Sequence, residues 1–326
     1  MMQGPCLGID IAKDSFSVAL LHDTQSHSAE FANTSAGFKQ LSKWLDKRQY
    51  KIVCACMEAT GRYGEPLAEY LHGAGHQVSV VNPMAIKAYA QSRLQRNKND
   101  KLDAGLIARF CQSEQPEPWT PPAPEIKALR ELLHQYDSLQ AARQQVRNRL
   151  GAGLNSSLVR EQLQAQQQLL EAQLAQLKKA IAEHIDHFPK LKRNQELLKS
   201  IPAIGSLTAA KIQAADTHRF KSAQALAAFA GVTPMNRVSG TSVRGRPKFS
   251  KLGNAPLRRA LYMPAVVAIR HNPLAKQLYE RLRAKGMAKK AAIGAVMHQL
   301  LRLAYGVLKS GLPFDAEFTK KTSVAA

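Results

Sequence analysis

The first 115 residues alternate between short apolar runs and amphipathic stretches, and this pattern predicts both strands and helices. Helical patterns run from Ser35 through Asp46, from the break at Thr60-Gly61 to about His72, and over roughly 84–112. Three strands followed by strands that alternate with helices are typical of an α/β domain with a mixed sheet. The five strand-like runs are Cys6–Ile11, Ser15–Leu21, 27–33, 51–57 and 77–81.

Prolines then interrupt the pattern between Pro116 and Pro124, at a density that neither a helix nor a central strand tolerates. We therefore divide the chain into a domain at 1–115 and a linker at 116–125. Beyond the linker, apolar residues recur at gaps of three and four, which predicts a coiled coil or helical hairpin over 126–190. Gly151 and Gly153 mark the break between its two helices. We interpret this part as a spacer or dimerisation arm.

Residues 191–326 form the last predicted domain, which we expect to be mainly α-helical. A tight turn at Ile201–Gly205 leads directly into an Ala-rich helix and resembles a helix-hairpin-helix. In that motif, backbone N–H groups at the helix start hold a DNA phosphate, although simple packing of two helices explains the pattern equally well. Helices resume near Leu257 and continue to about Lys309.

Charge separates the chain into two halves. Residues 1–189 contain 21 Lys and Arg against 19 Asp and Glu, whereas residues 190–326 contain 25 against 5. The total is +22, so nearly all the excess lies in the second half, which implies a polyanionic partner there. No uninterrupted apolar run reaches membrane-spanning length and no signal peptide pattern begins the chain, so we expect no membrane partner and a cytoplasmic protein.

Residues 232–256, the basic segment, are rich in Gly and Pro, carry several Lys and Arg residues and contain no acidic residue. We expect it to form a loop that lies against phosphate. We also expect nucleic-acid contacts from Lys211, Arg258 and Arg259 around it. The cations within it are Arg237, Arg244, Arg246, Lys248 and Lys251.

Four carboxylates have a pattern that suits metal binding. Asp10 and Glu58 end apolar strands, where an acid is costly unless it is paired or binds a metal. Asp100 and Asp103 are three residues apart, so they share one face of a helix. Together the four acids could hold a pair of Mg²⁺ ions, or Mn²⁺, for phosphodiester cleavage.

The four cysteines do not predict a metal site, because no Cys-x-x-Cys pair occurs. We expect buried free thiols. They are Cys6, Cys54, Cys56 and Cys111.

These features, in this order along the chain, resemble the insertion-sequence transposases of the IS one-ten family and the related Piv-type invertases. The motifs that carry the resemblance are Gly8–Lys13, Met57–Tyr63, Val80–Pro83, Lys98–Ala104, Ile201–Gly205, Gly231–Pro234, Ser239-Gly240 and Ser250–Asn254. One departure is Asn99, where many relatives have Thr, and it leaves the four acids intact.

The resemblance implies an RNase H-like (RuvC-like) first domain with Asp10, Glu58, Asp100 and Asp103 as metal ligands. It also implies that Ser239 is a nucleophile that forms a 5′-phosphoserine link with DNA. Loop serines are usually ordinary hydrogen-bonding residues, and composition alone does not select Ser239 from its neighbours. Arg244 and Arg246 could stabilise the charge on the reacting phosphate.

The resemblance further implies partners and an assembly. Donor and target double-stranded DNA would be chosen by a structured guide (bridge) RNA, and the active site would be built in a homo-oligomer, a dimer to a tetramer. Two other functions stay open from the sequence. A metal-dependent junction-resolving nuclease would not need Ser239, and a binding protein would show no magnesium-dependent chemistry.

Overall fold

The computed structural model describes residues 4–23, 25–59, 61–93, 100–235, 238–239, 243–244, 248–250 and 252–317. The chain divides into two compact units, Met1–Pro121 and Pro122–Ala326. Each unit has its own apolar core.

The first unit contains a five-stranded mixed sheet with strand order β3-β2-β1-β4-β5. β1 pairs antiparallel with β2 and parallel with β4, and β5 adds a second parallel pair at the edge. This arrangement confirms the predicted α/β class and is consistent with an RNase H-like domain. The strands are β1 (Cys6–Ile11), β2 (Ser15–His22), β3 (Gln25–Ala32), β4 (Cys54–Glu58) and β5 (Gln77–Val81).

Three predictions for this unit were wrong in detail. The strand predicted at 27–33 is Gln25–Ala32, two residues earlier at its start and one at its end. The apolar run at 51–57 becomes a strand only from Cys54, because residues 51–53 lie outside the ladder that pairs Cys6 with Cys54. The single helical stretch over 84–112 is two helices, α3 and α4. The helices are α1 (Ser35–Asp46), α2 (Glu65–Gly73), α3 (Pro83–Ser92) and α4 (Asp100–Glu114).

α4 lies directly on β1, and Gly8 makes this contact possible. A Cβ atom added to Gly8 would stand 2.2 Å from both the Ala104 oxygen and the Ala108 nitrogen, which are backbone atoms of α4. Ala104 and Ala108 are themselves completely buried. Small residues on both elements therefore let the helix backbone approach the strand backbone.

The second unit begins with the arm, which consists of α5 (Pro124–Leu150) and α6 (Ser157–His187). Val146 near the end of α5 clusters with Leu163, whereas Leu129 near its start clusters with Ile181. The two helices therefore run antiparallel, and the break falls at the predicted glycines. Ser156 caps α6 by accepting a hydrogen bond from the Val159 nitrogen at 3.4 Å.

The remaining helices enclose the larger core of the second unit. They are α7 (Pro189–Lys199), α8 (Ser206–Ala214), α9 (Ala223–Ala230), α10 (Ala255–His271), α11 (Pro273–Ala284) and α12 (Lys289–Ser310).

Among the described residues, α12 is the one helix that is long and apolar enough to cross a membrane, with a hydropathy of 1.3 over its best window. It contains no uninterrupted apolar run of that length, because His298 and Arg302 divide its apolar residues. Val296, Leu300 and Ala304 are completely buried in the core, and core helices of soluble proteins meet the same criterion.

We had expected the basic segment to be a loop, and this was wrong in part. Its described parts form two short antiparallel ladders, one between β6 and β9 and one between β7 and β8. The four strands are β6 (Pro234–Met235), β7 (Val238–Ser239), β8 (Val243–Arg244) and β9 (Lys248–Phe249).

Candidate functional site

Two of the four predicted acids stand at neighbouring strand ends of the first unit. The parallel register joins Ile9 of β1 to Met57 of β4, and Asp10 and Glu58 each follow directly. Both acids are half-buried, whereas the residues before them are completely or almost completely buried. The carboxyl ends of parallel strands thus bring these two acids to one edge of the sheet.

The direction of α4 brings a third acid to the same edge. The Cys111 thiol, near the end of α4, donates to the Cys54 carbonyl at 3.6 Å, and Cys54 begins β4. Ala104, near the start of α4, lies against Gly8, two residues before Asp10. The helix therefore runs antiparallel to β1, and its first turn, with half-buried Asp103, points to the strand ends. Asp100 begins the same helix, but its side chain lies outside the described part of the structure.

These acids have the donor chemistry that a hard divalent cation requires, because Mg²⁺ prefers carboxylate oxygens. Among the described side chains, however, no three Asp, Glu, His or Cys groups converge closely enough to form a metal site. The described residues therefore form an acidic edge of the sheet, the carboxylate edge, made by the ends of β1 and β4 and the start of α4.

The loop that follows β4 is held beside this edge by one side chain. The Asn33 amide nitrogen lies 3.1 Å from the Tyr63 carbonyl and 3.2 Å from the Ala12 carbonyl. It therefore donates to both the loop after β4 and the turn after β1. Asn33 was not predicted to be a functional residue, because a half-buried Asn after an edge strand offers no signal that could have identified it.

Ser239 lies in the short β7–β8 ladder of the second unit. Ser239 pairs with Val243 and Val238 with Arg244, so residues 240–242 connect the two strands. The backbone of Ser239 and Arg244 is described, but their side chains, like that of Lys248, are not. Arg237, Arg246 and Lys251 lie outside the described residues altogether.

One backbone bond closes the basic segment on itself, and a second anchors its end to α9. The Ser250 nitrogen donates to the Thr233 carbonyl at 3.1 Å, and the Asn254 nitrogen donates to the Phe229 carbonyl at 2.6 Å. Gly253 has a φ of +124°, and a Cβ there would lie 2.1 Å from the Phe229 oxygen. Only glycine fits at this anchor.

The predicted nucleic-acid contacts near the segment have different surroundings. The Lys211 ammonium donates to the Asp137 carboxylate at 2.5 Å, and its side chain is 17% exposed. Arg258 is half-buried and donates to the Ala230 carbonyl at 3.1 Å. Arg259 is exposed. The structure thus uses Lys211 and Arg258 internally, while Arg259 faces solvent.

The cysteines are free and largely buried, as predicted, but the sequence did not show that they come together. The hydrogen bond with the Cys56 thiol, followed by burial, raises the pKa of Cys111 from 9.0 to about 12. Contact with Cys111, together with burial, also raises the pKa of Cys6. Burial is the main cause of the raised pKa of Cys54. These thiols stay protonated at neutral pH and link α4 to the starts of β1 and β4.

Comparison with known proteins adds family information to this geometry. A DEDD transposase model of the IS110 type, described as "Transposase", matches residues 7–159, and the model "Transposase IS116/IS110/IS902 family" matches residues 195–280. The chain is similar to the pilin gene-inverting proteins of Moraxella bovis and Moraxella lacunata. Each is 34% identical over 314 residues, covering 95% of this chain and 97% of the relative. A protein of insertion element IS110 from Streptomyces coelicolor is 29% identical over 132 residues, covering 40% of this chain and 32% of that protein.

Proposed function

The chain belongs to the IS110 family of transposases and recombinases, and from that premise we propose that it cuts and rejoins DNA through a serine-linked intermediate. The single observation that supports this most is that one chain contains both a carboxylate edge, in its first unit, and a basic, serine-bearing segment, in its second. Transposition by an insertion element and inversion of a DNA segment are both reactions of this class.

In the proposed reaction, the Ser239 hydroxyl oxygen attacks a DNA phosphorus atom. A bond forms between that oxygen and phosphorus, the bond to the 3′ oxygen breaks, and the 3′ oxygen leaves with a proton. The 5′ phosphate stays on Ser239, so the energy of the phosphodiester is kept. Attack by the 3′ hydroxyl of another strand reverses the step and rejoins the DNA without ATP.

The carboxylate edge gives the second part of the proposal. A DEDD domain suggests divalent metal use, and we propose Asp10, Glu58, Asp100 and Asp103 as the residues that would hold Mg²⁺ or Mn²⁺. When bound, the metal would lower the pKa of an attacking oxygen and stabilise the charge of a leaving oxygen. The half-burial of Asp10, Glu58 and Asp103 supports this role, because partial desolvation strengthens their interaction with a cation.

The cations of the basic segment would neutralise DNA phosphates, and the excess of 20 positive charges in residues 190–326 is enough to engage more than one strand. We propose double-stranded donor and target DNA as substrates and a structured guide RNA as the partner that selects them. We also propose a cytoplasmic homo-oligomer, a dimer to a tetramer, in which the arm brings carboxylate and serine units together.

A covalent-trapping experiment tests the proposal. The protein, the transcript of its element's end, Mg²⁺ and DNA carrying a label on either end of the cut strand are combined and resolved on a denaturing gel. The 3′-labelled fragment should migrate with the protein and the 5′-labelled fragment should be released, because serine holds the 5′ phosphate. Ser239→Ala and Asp10→Ala should both abolish the adduct.

Ser250→Ala is the matched control, since Ser250 lies in the same segment and only its backbone nitrogen makes an observed bond, to Thr233. This variant should form the adduct normally. Cleaved DNA without an adduct, unaffected by Ser239→Ala, would instead identify a metal nuclease and refute the serine mechanism.

A further inference from the structure

A cavity of about 530 Å³ lies in the second unit between α5, α8 and the start of α10. Its floor is apolar and includes Leu133, Ala214 and Leu257, two of which are almost completely buried. Ligand pockets of proteins fall in the range of roughly 300–1,000 Å³ and combine an apolar surface with a few fixed polar groups. The cavity has the size and composition of a ligand site.

The rim of the cavity has an excess of positive charge. Arg130, Lys211 and Arg259 line it, against the single carboxylate of Asp137. The Arg130 Nε donates to the Ala214 carbonyl at 2.7 Å, and Lys211 is held by Asp137. Arg130 is thus fixed in position before any ligand arrives, which lowers the entropy cost of binding. Because Asp137 offsets the charge of Lys211, the excess charge that favours an anion lies with Arg130 and Arg259.

The cavity continues directly from the basic segment. Asn254 and Pro256, at the end of that segment, line the cavity. Asn254 is rigid because its backbone nitrogen bonds to Phe229 and its side-chain oxygen accepts from the Leu257 nitrogen at 2.8 Å. The last residues of the basic segment therefore form part of the cavity wall.

We propose that this cavity receives one nucleotide unit of a nucleic-acid strand, with the phosphate at the Arg130 and Arg259 rim and the base over the apolar floor. The inference rests on the proposed function only in that the basic segment binds nucleic acid. A phosphate alone would need the cations but not the apolar floor, so the floor supports entry of the base as well.

A binding assay with the full-length Ser239→Ala protein tests this, because that variant cannot start the proposed cleavage. Fluorescence anisotropy compares labelled single strands of eight nucleotides with matched strands whose central nucleotides lack bases. The normal strand should bind on the order of tenfold more tightly, or about 1.4 kcal/mol. Equal affinities would show contact with phosphate only and overturn the proposal. Each pair is made as DNA and as RNA, so the larger base effect identifies the source of the nucleotide.

Two pairs of variants locate the effect. Ala141→Trp fills the cavity from α5 and should remove the advantage of the normal strand, whereas Gln135→Trp, an exposed position on α5 outside the lining, should keep it. Arg259→Gln should weaken binding of both strands more than Arg270→Gln, since both arginines are exposed on α10 but only Arg259 lines the cavity. An advantage that survives Ala141→Trp would refute the site.

Failure of this proposal is distinguishable from failure of the recombinase mechanism. Loss of the base effect with an intact covalent adduct removes the cavity from the account and leaves the chemistry. A base effect without any adduct supports the cavity and refutes the serine mechanism.

Discussion

Replacing Gly8 with alanine tests the contact that brings α4, and with it Asp103, to the strand ends. The new Cβ would lie 2.2 Å from two backbone atoms of α4, and neither can rotate away as a side chain could. The helix would have to retreat by roughly 1 Å to reach ordinary contact distance. Overpacking of this kind typically costs about 1–3 kcal/mol, and we expect the upper end because both obstacles are backbone.

Urea unfolding followed by tryptophan fluorescence reports the stability of the first compact unit, because both tryptophans of the chain, Trp44 and Trp119, lie in that unit. With a slope of about 1.5 kcal/mol per molar urea, a loss of about 3 kcal/mol lowers the midpoint by about 2 M. We also expect Gly8→Ala to lose covalent-adduct formation under conditions in which it remains folded, because Asp103 would be displaced from Asp10.

Gly105→Ala is the matched control on α4. Its nearest neighbour would be the Arg109 Nη2 at 3.9 Å, which is an ordinary contact. Alanine in a helix is favoured over glycine by up to about 1 kcal/mol, so this variant should be as stable as the wild type or more so. If Gly8→Ala unfolds at the wild-type midpoint, α4 does not lie on β1 as described, and the argument that places Asp103 fails.

Two further predictions concern stability. Lys211→Met should destabilise the second unit by about 1–2 kcal/mol, because it leaves the carboxylate of Asp137 unpaired in a partly buried site. Lys179→Met, which breaks the exposed pair with Glu183, should cost less than about 0.5 kcal/mol, and thermal unfolding by circular dichroism compares the two. Equal losses would show that the Lys211 pair is not special. The pKa of Cys111, raised to about 12, favours the protonated thiol in the folded state, so its contribution to stability is complete below pH 9 and declines as pH rises from 9 towards 12. Cys111→Ala should therefore show a shallower loss of stability over that interval in urea titrations, and an unchanged slope would contradict the assigned cause.

Most strands and helices of the first unit could be predicted because the periodicity of its apolar residues is clear. β1 and β5 have the predicted bounds, and Asp10 and Glu58 occur where an apolar run ends, which a sequence displays directly. The position of α4 on β1 was not predictable, because it depends on Gly8 meeting Ala104 across nearly a hundred residues. The internal bonds of Lys211 and Arg258 were missed for a similar reason, since composition counts a lysine as free until its partner is known. The basic segment was expected to be a loop because its glycines and prolines predict turns. Strands of two residues are too short to give a recognisable pattern.

Two backbone bonds close the basic segment at its base. A change in the length of the segment should therefore have little effect on the stability of the helical core. Thr233 with Ser250 and Phe229 with Asn254 hold the two ends of the segment together. Doubling the length of a flexible loop costs only about 0.6 kcal/mol in closure entropy. Insertions and deletions between residues 236 and 247 should therefore be tolerated by the core. Related proteins could therefore differ in the length of the proposed DNA-binding segment while their helical core stays unchanged.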